Sequence, residues 1–142
     1  MKSAVFLYNT QSGKCKIERC TEAVCTVFRA YGYEITPQPI DFEANPFDGN
    51  EQIDLMVVAG GDGTVNEIAN GIAGFPNAAM TCIPIGTGND FLKNFGKDAE
   101  PLFLDAENLW NGDVTPLDLI DCNGKYCLTI ACTGIDLSLI HI

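Results

Sequence analysis

The sequence predicts an α/β fold: an open sheet with flanking helices, followed by the first strands of a truncated β-rich second unit. Three observations carry this reading. Short apolar runs alternate with stretches of helical periodicity from Ser3 to about Asn111. Two of the runs end directly in small polar turns, Gly60–Thr64 and Gly86–Asp90. Beyond Thr115 the alternation stops, and two strand-like runs flank Asn123-Gly124, a strong two-residue hairpin signal. The α/β unit is placed at 1–114 and the incomplete β-rich unit at 115–142.

Each element has its own warrant. Ser3–Tyr8 is a short buried strand, and Asn9-Thr10-Gln11-Ser12-Gly13-Lys14 a polar loop. Ile17, Cys20, Val24, Val27, Phe28 and Tyr31 form the stripe of an amphipathic helix, which Gly32 ends by tolerating positive φ. Tyr33–Thr36 reads as a second strand stopped by Pro37 and Pro39, and the acidic stretch 41–52 as a loop with at most one helical turn. Asp54–Ala59 is a strand, followed by the three-glycine turn and a helix to about Gly74 with Val65, Ile68, Ala69 and Ile72 on one face. Thr81–Ile85 is the fourth strand. Pro101–Asn111 reads as one helix with Leu102, Ala106, Leu109 and Trp110 inward, and Leu117–Cys122 with Lys125–Thr133 as a hairpin.

Composition narrows the function. A chain of 142 residues, 46% hydrophobic and 19% charged, holds one modest core. Eight Lys+Arg against nineteen Asp+Glu give a net charge of −11, which excludes nonspecific nucleic-acid binding and polybasic adsorption to anionic lipid. No signal peptide is visible and no apolar stretch approaches the ~20 residues of a membrane span. The expected location is cytoplasmic. The seven cysteines (15, 20, 25, 82, 122, 127, 132) form no C-x-x-C pair. The first three, five residues apart, rotate by ~140° per step on a helix and cannot converge on one ion, so buried, reduced thiols are expected.

The chemistry lies in the glycine turns. A strand running through Gly60-Gly61-Asp62-Gly63-Thr64 into a helix lets a polyphosphate approach bare backbone N–H groups, where the helix dipole favours anions. Asp62 would repel phosphate alone, and makes sense with a divalent cation or ordered water beside the ligand. Ligands of open α/β sheets collect outside the carboxyl ends of strands, so Gly86–Asp90 on the next strand would share that crevice. Glycines that merely permit tight turns are the blander alternative. Asn9–Lys14 is a third strand-end turn, able to meet phosphate or simply to cap a helix through Ser12. Asn66, Glu67 and Asp90 read equally as first-turn or capping residues and as crevice groups. His141, the only histidine, sits at a ragged end. Neither G-x-G-x-x-G nor the Gly-Lys-Ser/Thr of a Walker loop is present.

Gly-Gly-Asp-Gly-Thr-Val-Asn-Glu at 60–67 and Pro-Ile-Gly-Thr-Gly-Asn-Asp-Phe at 84–91 resemble the diacylglycerol kinase catalytic domain, a family that includes bacterial lipid kinases and the sphingosine and ceramide kinases. The first turn alone is shared with NAD kinases and phosphofructokinases. The Asn9–Gly13 loop is similar to the family's first phosphate loop, with Thr10 where proline is usual, and Thr133-Gly134-Ile135-Asp136 is similar to the start of its β-rich domain. The stretch 37–52 departs from relatives that carry a helix there.

The resemblance implies ATP and Mg²⁺ as cofactors and a lipid hydroxyl as acceptor, most simply diacylglycerol. It places nucleotide contacts on Asn9, Thr10, Gln11, Ser12, Gly13, Thr36, Gly60, Gly61, Asp62, Gly63, Thr64, Val65, Asn66 and Thr87. Asp62 would position magnesium and phosphate; the general base and a structural magnesium site are expected beyond Ile142, so the chain alone is expected to be inactive. The full enzyme would make transient membrane-surface contact, and a homodimer is one expected assembly. An NAD kinase-type enzyme and a non-catalytic nucleotide-binding module are the rival readings.

Overall fold

A parallel four-stranded sheet organises the computed structural model, which describes residues 2–11, 17–44, 47–50, 52–75 and 77–129. Its strands β1 (Lys2–Tyr8), β2 (Tyr33–Pro39), β3 (Leu55–Gly60) and β4 (Ala79–Pro84) lie in the order β2-β1-β3-β4. Successive residues of a strand face opposite sides. Val5, Leu7, Met56, Val58 and Cys82 pack on one side with Val65 and Ile68 of α2 (Asp62–Ile72). Ala4, Phe6, Val57, Ala59 and Ile83 pack on the other with Val24, Cys25 and Phe28 of α1 (Ile17–Ala30). Helices on both faces are why the strands read as continuous apolar runs.

The α1 stripe is seen as expected at Ile17, Val24 and Phe28, and Gly32 has φ of 85°. Tyr31 lies past the helix end instead and is 47% exposed, its ring stacked on Trp110 at 3.7 Å. Strand β2 continues through both prolines rather than stopping at Thr36. It is an edge strand, paired only with β1. The Ile40 N–H donates to the Tyr8 carbonyl, so the N–H positions of Pro37 and Pro39, odd where Ile40 is even, face the free edge.

Between β2 and β3 the loop is held by Phe47, which is buried and stacked on Phe75 at 5.3 Å. A side chain at Gly71 of α2 would collide with its ring, a Cβ there lying 1.7 Å from Phe47 Cε2.

The predicted helix 101–111 is two helices, α3 (Glu100–Leu104) and α4 (Ala106–Trp110). Asp105 breaks it: its backbone is extended and its carboxylate accepts the Glu107 N–H at 3.0 Å, capping α4. The break turns Leu102 outward, 57% exposed, and leaves Leu109 as the buried anchor.

A 3₁₀ turn, Asp90–Phe95, links β4 to α3. Past α4 the chain is irregular until the antiparallel hairpin of β5 (Ile120–Cys122) and β6 (Lys125–Cys127). Asn123 and Gly124 have φ of 56° and 83°, as a two-residue primed turn requires. Both strands are shorter than predicted, and the predicted continuation from 130 lies outside the described residues. The five described cysteines are free thiols. Cys25 and Cys82 are buried, but Cys122 is exposed on the short hairpin, against the expectation of burial. No helix among the described residues is long and apolar enough to cross a membrane.

Candidate functional site

The parallel pairing of β3 with β4 decides where the two glycine turns lie. Gly60 is opposite Pro84, and the Ile85 N–H donates to the Gly60 carbonyl at 3.3 Å, so both chains leave the same sheet edge side by side. The turns then touch. A Cβ on Gly86 would sit 2.6 Å from the Gly61 Cα, and one on Gly61 would sit 3.3 Å from the Gly86 Cα. The first turn is tighter than expected, because α2 already begins at Asp62: Gly61 is its N-cap and Gly63 is helical.

That cap leaves donors open. Gly61 has no side chain with which to satisfy the first-turn N–H groups of α2, and no side chain caps the helix. A Cβ at Gly63 would meet nothing within 4 Å, so the surface above it is clear. Buried Thr64 folds back over the strand end, where a Cβ on Gly60 would lie 2.5 Å from its Cβ. The Asn9 amide Nδ2 donates to Thr64 Oγ1 at 3.1 Å, while Asn9 Oδ1 accepts the Gln11 N–H at 2.9 Å. Asn9 thus ties the loop after β1 to the first turn of α2.

Asp62 reaches across to the second turn. Its Oδ1 accepts the Phe91 N–H at 3.3 Å, and a Cβ on Gly88 would lie 2.8 Å from its Oδ2. Asn89 holds that turn in shape: it adopts the left-handed conformation, φ of 51°, and its amide donates to the Gly86 carbonyl at 3.0 Å. Beneath the turns, burial and then the negative charge of Asp62 push the Cys82 thiol up to about 12, so it stays protonated. On the outer rim the Lys93 ammonium pairs with Asp90; that hydrogen bond, the Asp90 charge and the more distant Asp62 raise its pKa.

Asn9, Gly60, Gly61, Asp62, Gly63, Thr64 and the second turn with exposed Thr87 are therefore brought to one edge. Thr10 and Gln11 form the exposed turn leaving β1. Val65 contributes no side chain, since it is buried in the core. Asn66 turns away, its Oδ1 accepting the Leu128 N–H at 2.8 Å, and Glu67 is exposed. Thr36 pairs with Val5, three positions before Pro39 at the strand end, which sets it back from the rim; at ~3.3 Å per residue that is roughly 10 Å. Ser12, Gly13, Lys14, residues 133–136 and His141 lie outside the described residues. The roles of Asn89 and of the Phe91 N–H were missed; an asparagine following Gly-Thr-Gly was the available signal, because asparagine tolerates the left-handed region.

Among the described residues no three His, Cys, Asp or Glu side chains cluster to hold a metal. Magnesium seldom needs such a cage: it is bound through one or two carboxylates together with substrate phosphates, which Asp62 fits. A separate cavity of about 690 Å³ opens beside β4, lined largely by apolar groups including Met80, Phe95, Phe103 and Leu119 and by Phe91, which also borders the turns.

An open, parallel α/β sheet with an uncapped helix start beside two touching glycine turns is an arrangement that can receive phosphate oxygens. The diacylglycerol kinase catalytic domain model matches residues 3–122, and the chain belongs to that family. It is 33% identical over 140 residues to a diacylglycerol kinase of Bacillus subtilis, covering 94% of this chain and 46% of the relative. It is 32% identical over 145 residues to one of Staphylococcus haemolyticus, covering 94% of this chain and 42% of the relative. The chain thus spans under half the length of these relatives. The crystal structure of a diacylglycerol kinase from Bacillus anthracis shares the fold, with a TM-score of 0.67 at 24% identity, over 88% of this chain and 49% of that one.

Proposed function

We propose that this chain is the nucleotide-binding part of an ATP-dependent lipid kinase, which moves the γ-phosphoryl of Mg-ATP to a lipid hydroxyl, converting diacylglycerol to phosphatidic acid. The observation that carries the reading is the contact of Gly61 with Gly86, which joins two turns into one shallow cradle at the edge of the sheet.

Each residue has a task in that cradle. The N–H groups opening α2 receive phosphate oxygens, Gly61 and Gly63 leave them room, and the Thr64 hydroxyl is held in place by Asn9. Asp62 would hold magnesium, which neutralises charge on the transferred group when bound. In the transfer the lipid oxygen bonds to the γ-phosphorus, the bond to the β–γ bridging oxygen breaks, and ADP leaves with that electron pair. The hydroxyl proton passes to a general base presented from the β-rich side. Asp62 is the positioning carboxylate instead, because its Oδ1 is engaged by the Phe91 N–H. The family's names and the lipid acceptor imply brief contact with a membrane surface during turnover.

Mg-ATP should raise the melting temperature of the wild-type chain, Asp62→Ala should abolish the rise, and Cys20→Ser on α1 should keep it. Equal shifts in wild type and Asp62→Ala would refute the role of Asp62. A transfer assay on the intact kinase with diacylglycerol micelles, run beside NAD, assigns the acceptor; phosphorylation of NAD alone overturns the lipid reading.

A further inference from the structure

Two asparagines of α2 grip the second β unit as a neighbouring strand would. Asn66 and Asn70 lie four residues apart on one helix face, about 6 Å along the axis. Tyr126 and Leu128 lie two residues apart along β6 and its continuation, about 6.7 Å. The matched spacing is used in full. The Tyr126 N–H donates to Asn70 Oδ1 at 2.7 Å, and Asn70 Nδ2 donates back to the Tyr126 carbonyl at 2.6 Å, forming both rungs of a ladder. The Leu128 N–H donates to Asn66 Oδ1 at 2.8 Å, and Asn70 Nδ2 also donates to the Asn66 carbonyl at 3.0 Å. Strand β5 occupies one edge of β6, and the two carboxamides occupy the other.

We propose that Asn66 and Asn70 are positioning residues that couple the phosphate cradle to the second β unit; the coupling rests on the reading of residues 60–64 as a nucleotide site. The first turn of α2 carries Asp62, Gly63 and Thr64, and its next turns carry the clasp. An 11-residue helix moves as one piece, so a ligand that fixes its first turn fixes the register of β6. Coupling of this kind is reciprocal: docking of β6 also favours the ligand.

Hydrogen exchange at individual amides tests this. Without ligand, Asn70→Ala should speed exchange at Tyr126 about tenfold and leave amides of β1 and β3 unchanged; unaltered protection at Tyr126 overturns the clasp. Asn70→Leu keeps the size but removes both the acceptor for the Tyr126 N–H and the donor to its carbonyl, so it should resemble Asn70→Ala; behaviour like wild type would reduce residue 70 to a packing role. Mg-ATP should slow exchange at residues 61–64, Tyr126 and Leu128 in wild type, but only at 61–64 in Asn70→Ala. Protection at 61–64 without any at Tyr126 and Leu128 in wild type overturns the coupling and leaves the nucleotide reading intact. Protection at neither place sinks the nucleotide reading and the coupling with it, whereas the clasp still stands or falls on the ligand-free comparison.

Discussion

Replacing Gly63 by alanine separates stability from binding. The residue lies in the first turn of α2, and a Cβ there has no neighbour within 4 Å. Folding should therefore gain the helical advantage of alanine over glycine, about 0.5 kcal/mol near a helix end. With ~2.1 cal/mol/K of unfolding entropy per residue, a 142-residue chain has roughly 0.3 kcal/mol/K. The ligand-free melting temperature should rise by about 2 °C. The same methyl group stands where a phosphate would approach the backbone. Mg-ATP at ten times its dissociation constant stabilises the wild type by about 1.4 kcal/mol, or about 5 °C. Gly63→Ala should lose most of that shift. The assay is a pair of thermal melts with and without millimolar Mg-ATP. A variant that gains stability and keeps the full ligand shift shows that no phosphate sits over Gly63, and removes the cradle from the account.

The remaining predictions use the same chain. Gly86→Ala places a Cβ 2.6 Å from the Gly61 Cα, a collision of backbone with backbone, and should destabilise by about 1–3 kcal/mol in urea titrations as well as cut the Mg-ATP shift; unchanged stability would show that the turns do not touch. Phe47→Ala should cost about 3–5 kcal/mol, because the ring fills the space that Gly71 leaves open and stacks on Phe75; a loss below 1 kcal/mol would show the loop to be loosely held. The folded state keeps the Cys82 proton up to about 12 against an ordinary 9.0, so the stability tied to that thiol is whole below pH 9 and declines as pH climbs toward 12. The decline reaches at most about 1.4 kcal/mol per pH unit, and Cys82→Ala should flatten the fall in urea midpoint between pH 8.5 and 10; identical slopes would contradict it.

The sheet was legible because apolar runs and helical stripes are local signals, and both layers of the core obey them. What was misread depended on position in the assembled sheet. Pro37 and Pro39 stop a central strand but not an edge strand, and nothing in the sequence of β2 announces that β1 lies on only one side of it. The break at Asp105 comes from an N-capping carboxylate inside a stretch whose apolar pattern is continuous with one helix. The gathering of Asp62, the glycines and Thr64 at one strand end was legible because they are consecutive residues of one turn. The resemblance places Asn66 on the nucleotide, whereas its Oδ1 accepts the Leu128 N–H, 62 positions on. Such a role cannot be read before the hairpin is docked, since an asparagine on a helix face carries no sign of which backbone it will meet. Thr36 shows the converse: a residue carried over from a resemblance lands by register, and register sets it back from the rim.

For an acidic chain, the proposed binding of a polyanion needs an explanation, and the geometry supplies one. The net charge of −11 is spread over the chain, and at physiological ionic strength charges farther than about 8 Å from a ligand are largely screened. What a phosphate would meet locally is different: open N–H groups at the positive end of α2, while on the rim the Lys93 ammonium and the Asp90 carboxylate offset each other. Asp62, whose carboxylate spans the two turns, is the feature that would oppose binding without a cation and favour it with one. On the proposed reading, selection for Mg-ATP over free ATP would be built into the same five residues that make the turn. It follows from charge and placement, with no arginine or lysine required among residues 60–64.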